Sequence, residues 1–187
     1  MGSQLGQDVK VDNILKQKNN GFFLDIGACY PSYMSNSEFF ELTRNWKGVA
    51  VELYESYRNY WLESRPNSYF HCEDATMVDY QKLLDSQNAP KIIDYLSIDV
   101  DPPTTLSLLS LYKIFETDYS FNVITFECDY GGDVECNFTR PGTRDESRDF
   151  LRSKGFILLE EIYDYGKPHY HVDDLWVHER LNYKMET

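Results

Sequence analysis

Apolar residues form two kinds of pattern along the chain: short continuous runs, and longer stretches in which they recur every three or four positions. The runs are typical of buried strands, and the spaced pattern is typical of helices. Gly, Pro and Asn separate these segments. The predicted helices cover 9–16, 36–44, 54–63, 79–85, 104–115 and 144–154. The predicted strands cover 22–26, 48–52, 68–71, 92–100, 123–127, 156–162 and 174–178.

Strands separated by helices predict an α/β domain with a doubly wound, mainly parallel sheet. The last two strands follow each other without a helix, so we expect an antiparallel hairpin at one edge of a seven-stranded, Rossmann-like sheet. A length of 187 residues suits one domain over 1–187, with 1–20 as a helical cover. The start Met1, Gly2, Ser3 leaves open that the chain is a domain cut from a longer protein.

Composition and charge exclude several classes of partner. Hydrophobic residues make up 42% of the chain, which places it among folded proteins. A net charge of −13 argues against nucleic acid and anionic membranes as partners, because both need a basic surface. No signal region and no apolar run of about 18 residues is present, so we expect a cytoplasmic protein without membrane insertion. The four cysteines show no C-x-x-C spacing.

An acidic residue lies at or just past the end of each of the first five predicted strands: Asp25, Glu52, Asp74, Asp99 and Glu127. Ligands of this architecture bind at the carboxyl ends of parallel strands. A carboxylate at the second strand end can accept hydrogen bonds from both hydroxyls of a ribose, so Glu52 is a candidate ribose ligand. The alternative for Glu52, and for Asp25, is a solvated carboxylate at a strand–helix junction.

The connection after the first strand, DIGACYPSYMSN at 25–36, contains a single glycine, Gly27. A pyrophosphate cannot lie close against such a backbone, because a phosphate-binding loop of this kind needs several glycines. This argues against a nicotinamide-dependent dehydrogenase, although Glu52 could equally bind the ribose of that cofactor.

The chain contains six motif segments: SQLGQD (3–8), GFFLDIGACYPSYMSN (21–36), WKGVAVE (46–52), DYLSIDV (94–100), ITFE (124–127) and DDLWV (173–177). Together they resemble the FkbM family of S-adenosylmethionine-dependent methyltransferases. The resemblance covers most of the chain and implies the seven-stranded methyltransferase fold. It also implies S-adenosylmethionine as the cofactor, which has no phosphate, so one glycine allows a close approach.

The resemblance implies a set of cofactor contacts. Gln4, Gln7 and Asp8 would cover the amino-acid end, Asp25 would face the ammonium group, and Gly27 would pass beneath the methionine portion. Ser35 and Asn36 have an alternative role as N-caps of the following helix. The full set of implied cofactor-binding residues is Gln4, Gln7, Asp8, Asp25, Gly27, Ala28, Tyr30, Ser35, Asn36, Glu52, Asp74, Ala75 and Asp99.

The resemblance further implies methyl transfer to a sugar hydroxyl, which is a weak nucleophile and benefits from a base or a metal. Asp99, Glu127 and Asp129 resemble in position the acidic triad that holds a divalent cation in catechol and macrolide-sugar O-methyltransferases, and such ligands suit Mg²⁺. The alternative is that these carboxylates cap turns or shape the pocket without a metal. The candidate bases, with Asp99 ranked first, are Asp99, Asp101, His169 and His171.

One departure from the family concerns the acceptor side. The family commonly continues SIDVEG, whereas this chain has SIDVDPPTTL, in which Pro102 and Pro103 stiffen the turn. A methyltransferase-fold binding module without turnover is therefore the competing hypothesis. Asp173 and Asp174 are expected to begin the last strand and position the acceptor loop, or else to form a polar hairpin turn.

The expected partner is a small-molecule or glycan acceptor. Fusion to, or association with, a glycosyltransferase is left open by the resemblance, and the oligomeric state is not predicted.

Overall fold

The computed structural model describes residues 2–100, 105–130, 143–164, 166 and 170–184, with the backbone alone at 129 and 130. The helices are α1 (Gln7–Ile14), α2 (Glu38–Arg44), α3 (Arg58–Ser64), α4 (Tyr80–Ser86), α5 (Thr105–Ile114) and α6 (Thr143–Ser153). The strands are β1 (Phe22–Ile26), β2 (Lys47–Glu52), β3 (Ser68–Cys72), β4 (Ile92–Ile98), β5 (Ser120–Tyr130), β6 (Phe156–Tyr163) and β7 (His171–His178).

The seven strands form one sheet in the order β3-β2-β1-β4-β5-β7-β6. The first five in this order pair in parallel, and β7 pairs antiparallel with both β5 and β6. The prediction of a mainly parallel sheet with an antiparallel C-terminal hairpin at one edge is confirmed. Because β6 runs in the same direction as β5, its carboxyl end lies at the same edge of the sheet as those of β1, β4 and β5.

The two faces of the sheet carry separate hydrophobic cores, because successive side chains of a strand point to opposite sides. Leu24 of β1 belongs to the core that includes Leu84 of α4. Its neighbour Phe23 belongs to the other core, with Val11 of α1 and Phe40 of α2. All five residues of β1 are buried, as expected for a central parallel strand covered by helices on both faces.

Most element boundaries differ from the prediction, by one to four residues. The first helix begins at Gln7 rather than at residue 9, and the second begins at Glu38 rather than at residue 36. The fifth strand continues to Tyr130, and the last begins at His171. The two strands gain these residues by pairing with each other across an irregularity between Glu127 and Tyr130, a long-range feature that local pattern does not carry.

No helix in the part of the chain that the structure describes is long and apolar enough to cross a bilayer.

Candidate functional site

A cavity of about 380 Å³ opens at the carboxyl edge of the sheet. Asp25 of β1, Asp99 just after β4 and Glu127 of β5 line it, and Asp164, which follows β6, adds a fourth acidic group. The described residues around this cavity include no lysine or arginine. The cavity is therefore strongly negative and suits a ligand that carries positive charge.

A larger cavity, about 1060 Å³, opens at the opposite edge of the sheet beside residues 181–184. Its acidic residue, Asp94, already pairs with Lys18 at 2.6 Å and accepts a hydrogen bond from the Phe22 backbone N–H at 3.1 Å. Ligands of doubly wound folds bind at the carboxyl ends of the strands. We therefore assign the candidate site to the smaller cavity.

Gly27 stands where β1 leaves the sheet, with a left-handed φ of +82°. A Cβ atom at this position would lie 1.8 Å from the carbonyl oxygen of Asp99 and 2.6 Å from its carbonyl carbon. The Gly27 N–H donates to the Val51 carbonyl oxygen at 2.9 Å, which fixes the turn against β2. The close approach of the chain after β4 thus requires a glycine here, in addition to any approach of a cofactor.

Asp25 is 3% exposed and accepts a hydrogen bond from the Ser37 hydroxyl at 2.6 Å. Burial raises the pKa of Asp25, and the Ser37 hydrogen bond and the charge of Arg65 oppose that rise. A buried carboxyl with a perturbed pKa at the wall of a cavity is typical of a binding or catalytic site. A cationic ligand group would stabilise its ionised form.

Asn36 supplies an acceptor without a partner. The residue is 8% exposed, and its Nδ2 donates to Ser97 Oγ at 3.1 Å. Its Oδ1 is buried and has no hydrogen-bond partner among the described residues. Such atoms are rare in folded proteins because leaving them unpaired costs free energy. An ammonium group in the cavity would supply the missing donor, so Asn36 and Asp25 together fit the amino-acid end of S-adenosylmethionine.

Ser35 lines the cavity and also supports the first turn of α2. Its Oγ accepts hydrogen bonds from the backbone N–H groups of Ser37 at 3.4 Å and Glu38 at 3.2 Å. Ser35 and Asn36 were predicted either to contact the cofactor or to cap the following helix. Ser35 makes the capping type of contact, whereas Asn36 contacts Ser97 and lines the cavity.

Glu52 ends β2 and is 7% exposed. Its Oε2 accepts from the Cys29 N–H at 2.9 Å and its Oε1 from the Tyr54 N–H at 3.0 Å. Each carboxylate oxygen has a second lone pair, so Glu52 can still accept from ribose hydroxyls. Glu52 is not among the described residues that line the cavity, and it adjoins the cavity through Cys29, which does line it and has a left-handed φ of 45°. The solvated alternative for Glu52 and Asp25 is wrong, because both carboxyl groups are buried.

The N-terminal segment reaches the cavity through Gln4. Gln7 and Asp8 do not line the cavity. Gln7 Nε2 donates to Asp173 Oδ2 at 2.6 Å, and Asp8 Oδ1 accepts from the Ser3 hydroxyl at 2.6 Å. These two buried residues hold the N-terminal segment in place. Of the three residues predicted to cover the cofactor here, only Gln4 lies at the cavity.

Tyr30 lies outside the cavity lining, on an exposed aromatic surface. Its ring is 4.6 Å from that of Tyr57 and 5.6 Å from that of Tyr60, and Tyr54 lies 6.3 Å from Tyr57. Tyr30, Tyr54 and Tyr60 are 42%, 59% and 52% exposed. We call these four residues the tyrosine surface. It adjoins the cavity through Cys29, the neighbour of Tyr30 in the chain.

The predicted adenine contacts also lie outside the cavity lining. Asp74 is exposed and accepts hydrogen bonds from the backbone N–H and hydroxyl of Thr76 at 2.9 and 2.7 Å. Ala75 is buried in the core, and its carbonyl oxygen accepts from the Tyr80 hydroxyl at 2.9 Å. Contact of this pair with a cofactor stays a prediction.

His171 was expected on a loop, and this is wrong. It is the first residue of β7, only 1% exposed, and its Nε2 lies 2.9 Å from the Asp173 carbonyl oxygen. A base in contact with an acceptor must be accessible, and this imidazole is enclosed by the hairpin. Asp101, His169 and the side chain of Asp129 lie outside the described residues.

Asp99 and Glu127, two of the three predicted metal ligands, line the same cavity. The Ser107 hydroxyl of α5 donates to Glu127 Oε2 at 3.3 Å and so helps to orient this carboxylate. Because the third predicted ligand is not described, the complete triad stays a prediction.

Cys128, His171 and Asp174 form a buried group with metal-ligand chemistry, with ligand atoms within 4.8 Å of one another. Arg148 already donates two hydrogen bonds of 2.7 Å to the Asp174 carboxylate. Burial raises the pKa of the Cys128 thiol well above its usual value, which keeps the thiol neutral. The guanidinium therefore balances the charge of this group, and Asp174 joins α6 to β7 rather than forming a polar turn.

Several lining residues were not predicted from the sequence: Cys29, Tyr33, Met34, Asp164, Tyr170 and Val172. Asp164 and Tyr170 belong to the connection between β6 and β7, and Val172 is the second residue of β7. The predicted hairpin carried a usable signal for them, because a strand that runs parallel to β5 must turn at the edge where the site lies.

No protein-family model matches the chain, and no curated protein matches it. Solved structures do resemble it. Fibrillarin from Aeropyrum pernix, with natively bound S-adenosyl-L-methionine, has a TM-score of 0.60 and 12% identity over 94% of this chain and 74% of that one. A putative rRNA-methylase from Clostridium thermocellum has a TM-score of 0.59 and 14% identity over 95% and 96% of the two chains.

A third similar structure is TrmK from M. capricolum in complex with S-adenosyl-homocysteine. It has a TM-score of 0.56 and 12% identity over 90% of this chain and 67% of that one. The chain thus has the Rossmann-like fold of the class I, S-adenosylmethionine-dependent methyltransferases. Membership of the FkbM family stays a prediction.

Proposed function

We propose that the chain is an S-adenosylmethionine-dependent O-methyltransferase that acts on a sugar hydroxyl of a glycan or glycoside. The observation that carries this proposal is the acidic cavity at the carboxyl ends of β1, β4 and β5 in a methyltransferase fold. Its negative lining and the unpaired Oδ1 of Asn36 suit the ammonium and sulfonium groups of this cofactor.

In this proposal, Asp25 and Asn36 accept hydrogen bonds from the ammonium group, and Glu52 accepts from the ribose hydroxyls. The cofactor supplies a methyl group on a sulfonium, and the protein aligns the acceptor with it. Asp99 takes the proton of the acceptor hydroxyl, because Asp99 lines the cavity beside the chain turn at Gly27.

A neutral sugar as acceptor is supported by the FkbM-like motifs and by the tyrosine surface. The C–H faces of a sugar ring are apolar and pack against exposed aromatic rings, and a patch of exposed aromatic side chains is typical of an interaction surface. Nucleic acid is disfavoured by the net charge of −13, although one similar structure is a putative rRNA-methylase.

A second candidate is a binding module that holds the cofactor without transferring its methyl group. The sequence Asp101-Pro102-Pro103 in place of the family's usual turn favours it, because two prolines restrict the backbone where the resemblance implies an acceptor-facing segment. Cofactor binding without methyl uptake by any rhamnose-type or other deoxy-sugar glycoside would support this candidate over the enzyme.

Glu52→Ala is expected to weaken S-adenosylmethionine binding by about 1.5–3 kcal/mol, because hydrogen bonds to a charged group are lost. Calorimetry with purified protein measures this directly. Glu73→Ala is the matched control, since Glu73 lies just past β3, pairs with His71 at 2.8 Å and is exposed. Wild-type affinity in the Glu52 variant would contradict the assignment.

Methyl uptake from labelled cofactor by rhamnose-type and other deoxy-sugar glycosides is expected to require Mg²⁺ or a similar cation held by Asp99, Glu127 and Asp129. Excess chelator should lower turnover at least about tenfold, because a metal lowers the pKa of the acceptor hydroxyl. Cofactor affinity, measured in parallel, should change little. Full activity in chelator would reject the metal and leave Asp99 as the base.

A further inference from the structure

A buried arginine lies behind the loop that lines the cavity. Arg65 follows α3, is 1% exposed, and donates from Nε to Glu41 Oε2 at 2.7 Å and from Nη1 to the Pro31 carbonyl oxygen at 2.7 Å. Its guanidinium lies 4.6 Å from the ring centroid of Trp61. Glu41 also accepts from the Asn67 backbone N–H at 2.7 Å. Both members of the ion pair therefore have the partners that burial demands.

The Ser37 hydroxyl connects this arginine to Asp25. Arg65 Nη2 donates to Ser37 Oγ at 3.1 Å, and Ser37 Oγ donates to Asp25 Oδ2 at 2.6 Å. The first direction is fixed because a guanidinium only donates, and the second follows when Asp25 is ionised, because a carboxylate only accepts. Two hydrogen bonds in series thus lead from a cation to an anion, and each polarises the other.

The other titratable groups around Asp25 do not replace this cation. Glu52 raises the pKa of Asp25, and the carboxylates across the cavity have the same sign of charge. Among the described residues, the titratable groups that surround Asp25 or line the cavity with it are Cys29, Tyr33, Glu52 on β2, Arg65 after α3, Tyr95 on β4, Asp99 after β4, Glu127 on β5, Asp164 after β6 and Tyr170 before β7.

We propose that Ser37 transmits the positive charge of Arg65 to Asp25 and so keeps Asp25 ionised before a ligand enters the cavity. Ser37 and Arg65 are positioning residues, since they act through Asp25 and neither is among the described residues that line the cavity. The ionised carboxylate is the form that attracts an ammonium group. The identity of that ligand rests on the proposed function, whereas the ionisation of Asp25 belongs to the protein alone.

The first test needs no ligand. In Ser37→Ala, the titration midpoint of the Asp25 carboxyl carbon, followed by NMR, is expected to move up by about one pH unit, because a hydrogen bond to the ionised form is lost. Ser35→Ala is the matched control. Ser35 lies in the same loop and contacts both Arg65, at 3.4 Å, and the Ser37 hydroxyl, at 3.5 Å, but its own hydroxyl makes no described contact with Asp25. Its midpoint should stay at the wild-type value.

The second test uses S-adenosyl-homocysteine, whose ammonium group should need the same ionised carboxylate. Its affinity for wild-type protein should fall as pH falls through the Asp25 midpoint. In Ser37→Ala this fall should begin about one pH unit higher, so the affinity should be about twofold to fivefold below wild type between the two midpoints and about tenfold below it at pH values under both. Asp25→Asn should remove this pH dependence in both backgrounds.

The outcomes separate the two proposals. An unchanged Asp25 midpoint in a folded Ser37→Ala protein would overturn the relay, whatever the cofactor does. If S-adenosyl-homocysteine binds no variant while the midpoint moves as expected, the proposed function fails and the relay stands. Should Ser37→Ala not fold, Ser37→Cys keeps a weaker donor at the same position and should raise the midpoint by a smaller amount. No rise in that variant would equally overturn the relay.

Discussion

Gly27→Ala is expected to destabilise the folded protein severely. The new Cβ would lie 1.8 Å from the Asp99 carbonyl oxygen, and the backbone φ of +82° is itself unfavourable for alanine. Neither β1 nor the chain after β4 can retreat, because the Asp99 N–H is bonded to the Ile26 carbonyl oxygen at 2.9 Å. A loss of about 4 kcal/mol or more is expected, which is a large part of the stability of a typical domain.

Gly6→Ala separates the cost of a left-handed backbone conformation from the cost of a steric clash of the new Cβ. Gly6 has a similar φ of +77°, but no atom lies within 4 Å of a Cβ built there. Gly6→Ala should lower the free energy of unfolding by only about 1–2 kcal/mol, the cost of alanine in the left-handed conformation. Urea denaturation followed by circular dichroism measures both variants. Equal losses in the two would show that the contact with Asp99 does not determine the requirement for glycine at 27.

Arg65→Met is expected to lower the free energy of unfolding by about 3–5 kcal/mol. Methionine can fill most of the space, but it leaves the fully buried carboxylate of Glu41 without its cationic partner. The carbonyl oxygen of Pro31 would also lose its donor, so the loop before α2 would lose an attachment. Urea denaturation, extrapolated to zero denaturant, gives the change in the free energy of unfolding.

Arg58→Met is the matched control, because Arg58 forms an ion pair with Glu55 at the surface. The Arg58 and Glu55 side chains are 36% and 63% exposed, so their pairing is expected to contribute less than about 1 kcal/mol. A loss in Arg65→Met as small as that of the control would refute the view that the buried pair with Glu41 holds the loop.

Much of the fold was predictable because each element carries a local signal. The continuous apolar runs of β1 and β4 and the spaced pattern of the helices led to confirmed predictions, as did the hairpin formed by β6 and β7. The order of strands across the sheet was not predicted. It depends on which helices cover which face, and that is a property of packing between distant segments.

The site was predictable in part for the same reason. Asp25, Asp99 and Glu127 lie at or near the carboxyl ends of strands that pair in one sheet, so the topology alone brings them to one edge. Nothing in the sequence indicated that Arg65 is buried behind this site, because arginine is usually exposed. Its partner residues Glu41 and Pro31 lie 24 and 34 positions away in the sequence. The burial of His171 was equally hidden, since it results from β7 extending along β5.

Trp61 gives the loop beside the cavity an optical signal of its own. Its indole N–H donates to the Cys29 carbonyl oxygen at 2.9 Å, and its ring faces the Arg65 guanidinium. Of the other two tryptophans, Trp46 donates to the Lys18 carbonyl oxygen, remote from the loop, and Trp176 lies in the core near α6. Movement of the loop changes the surroundings of one fluorophore, so the emission of Trp61 reports the state of the site without an added label.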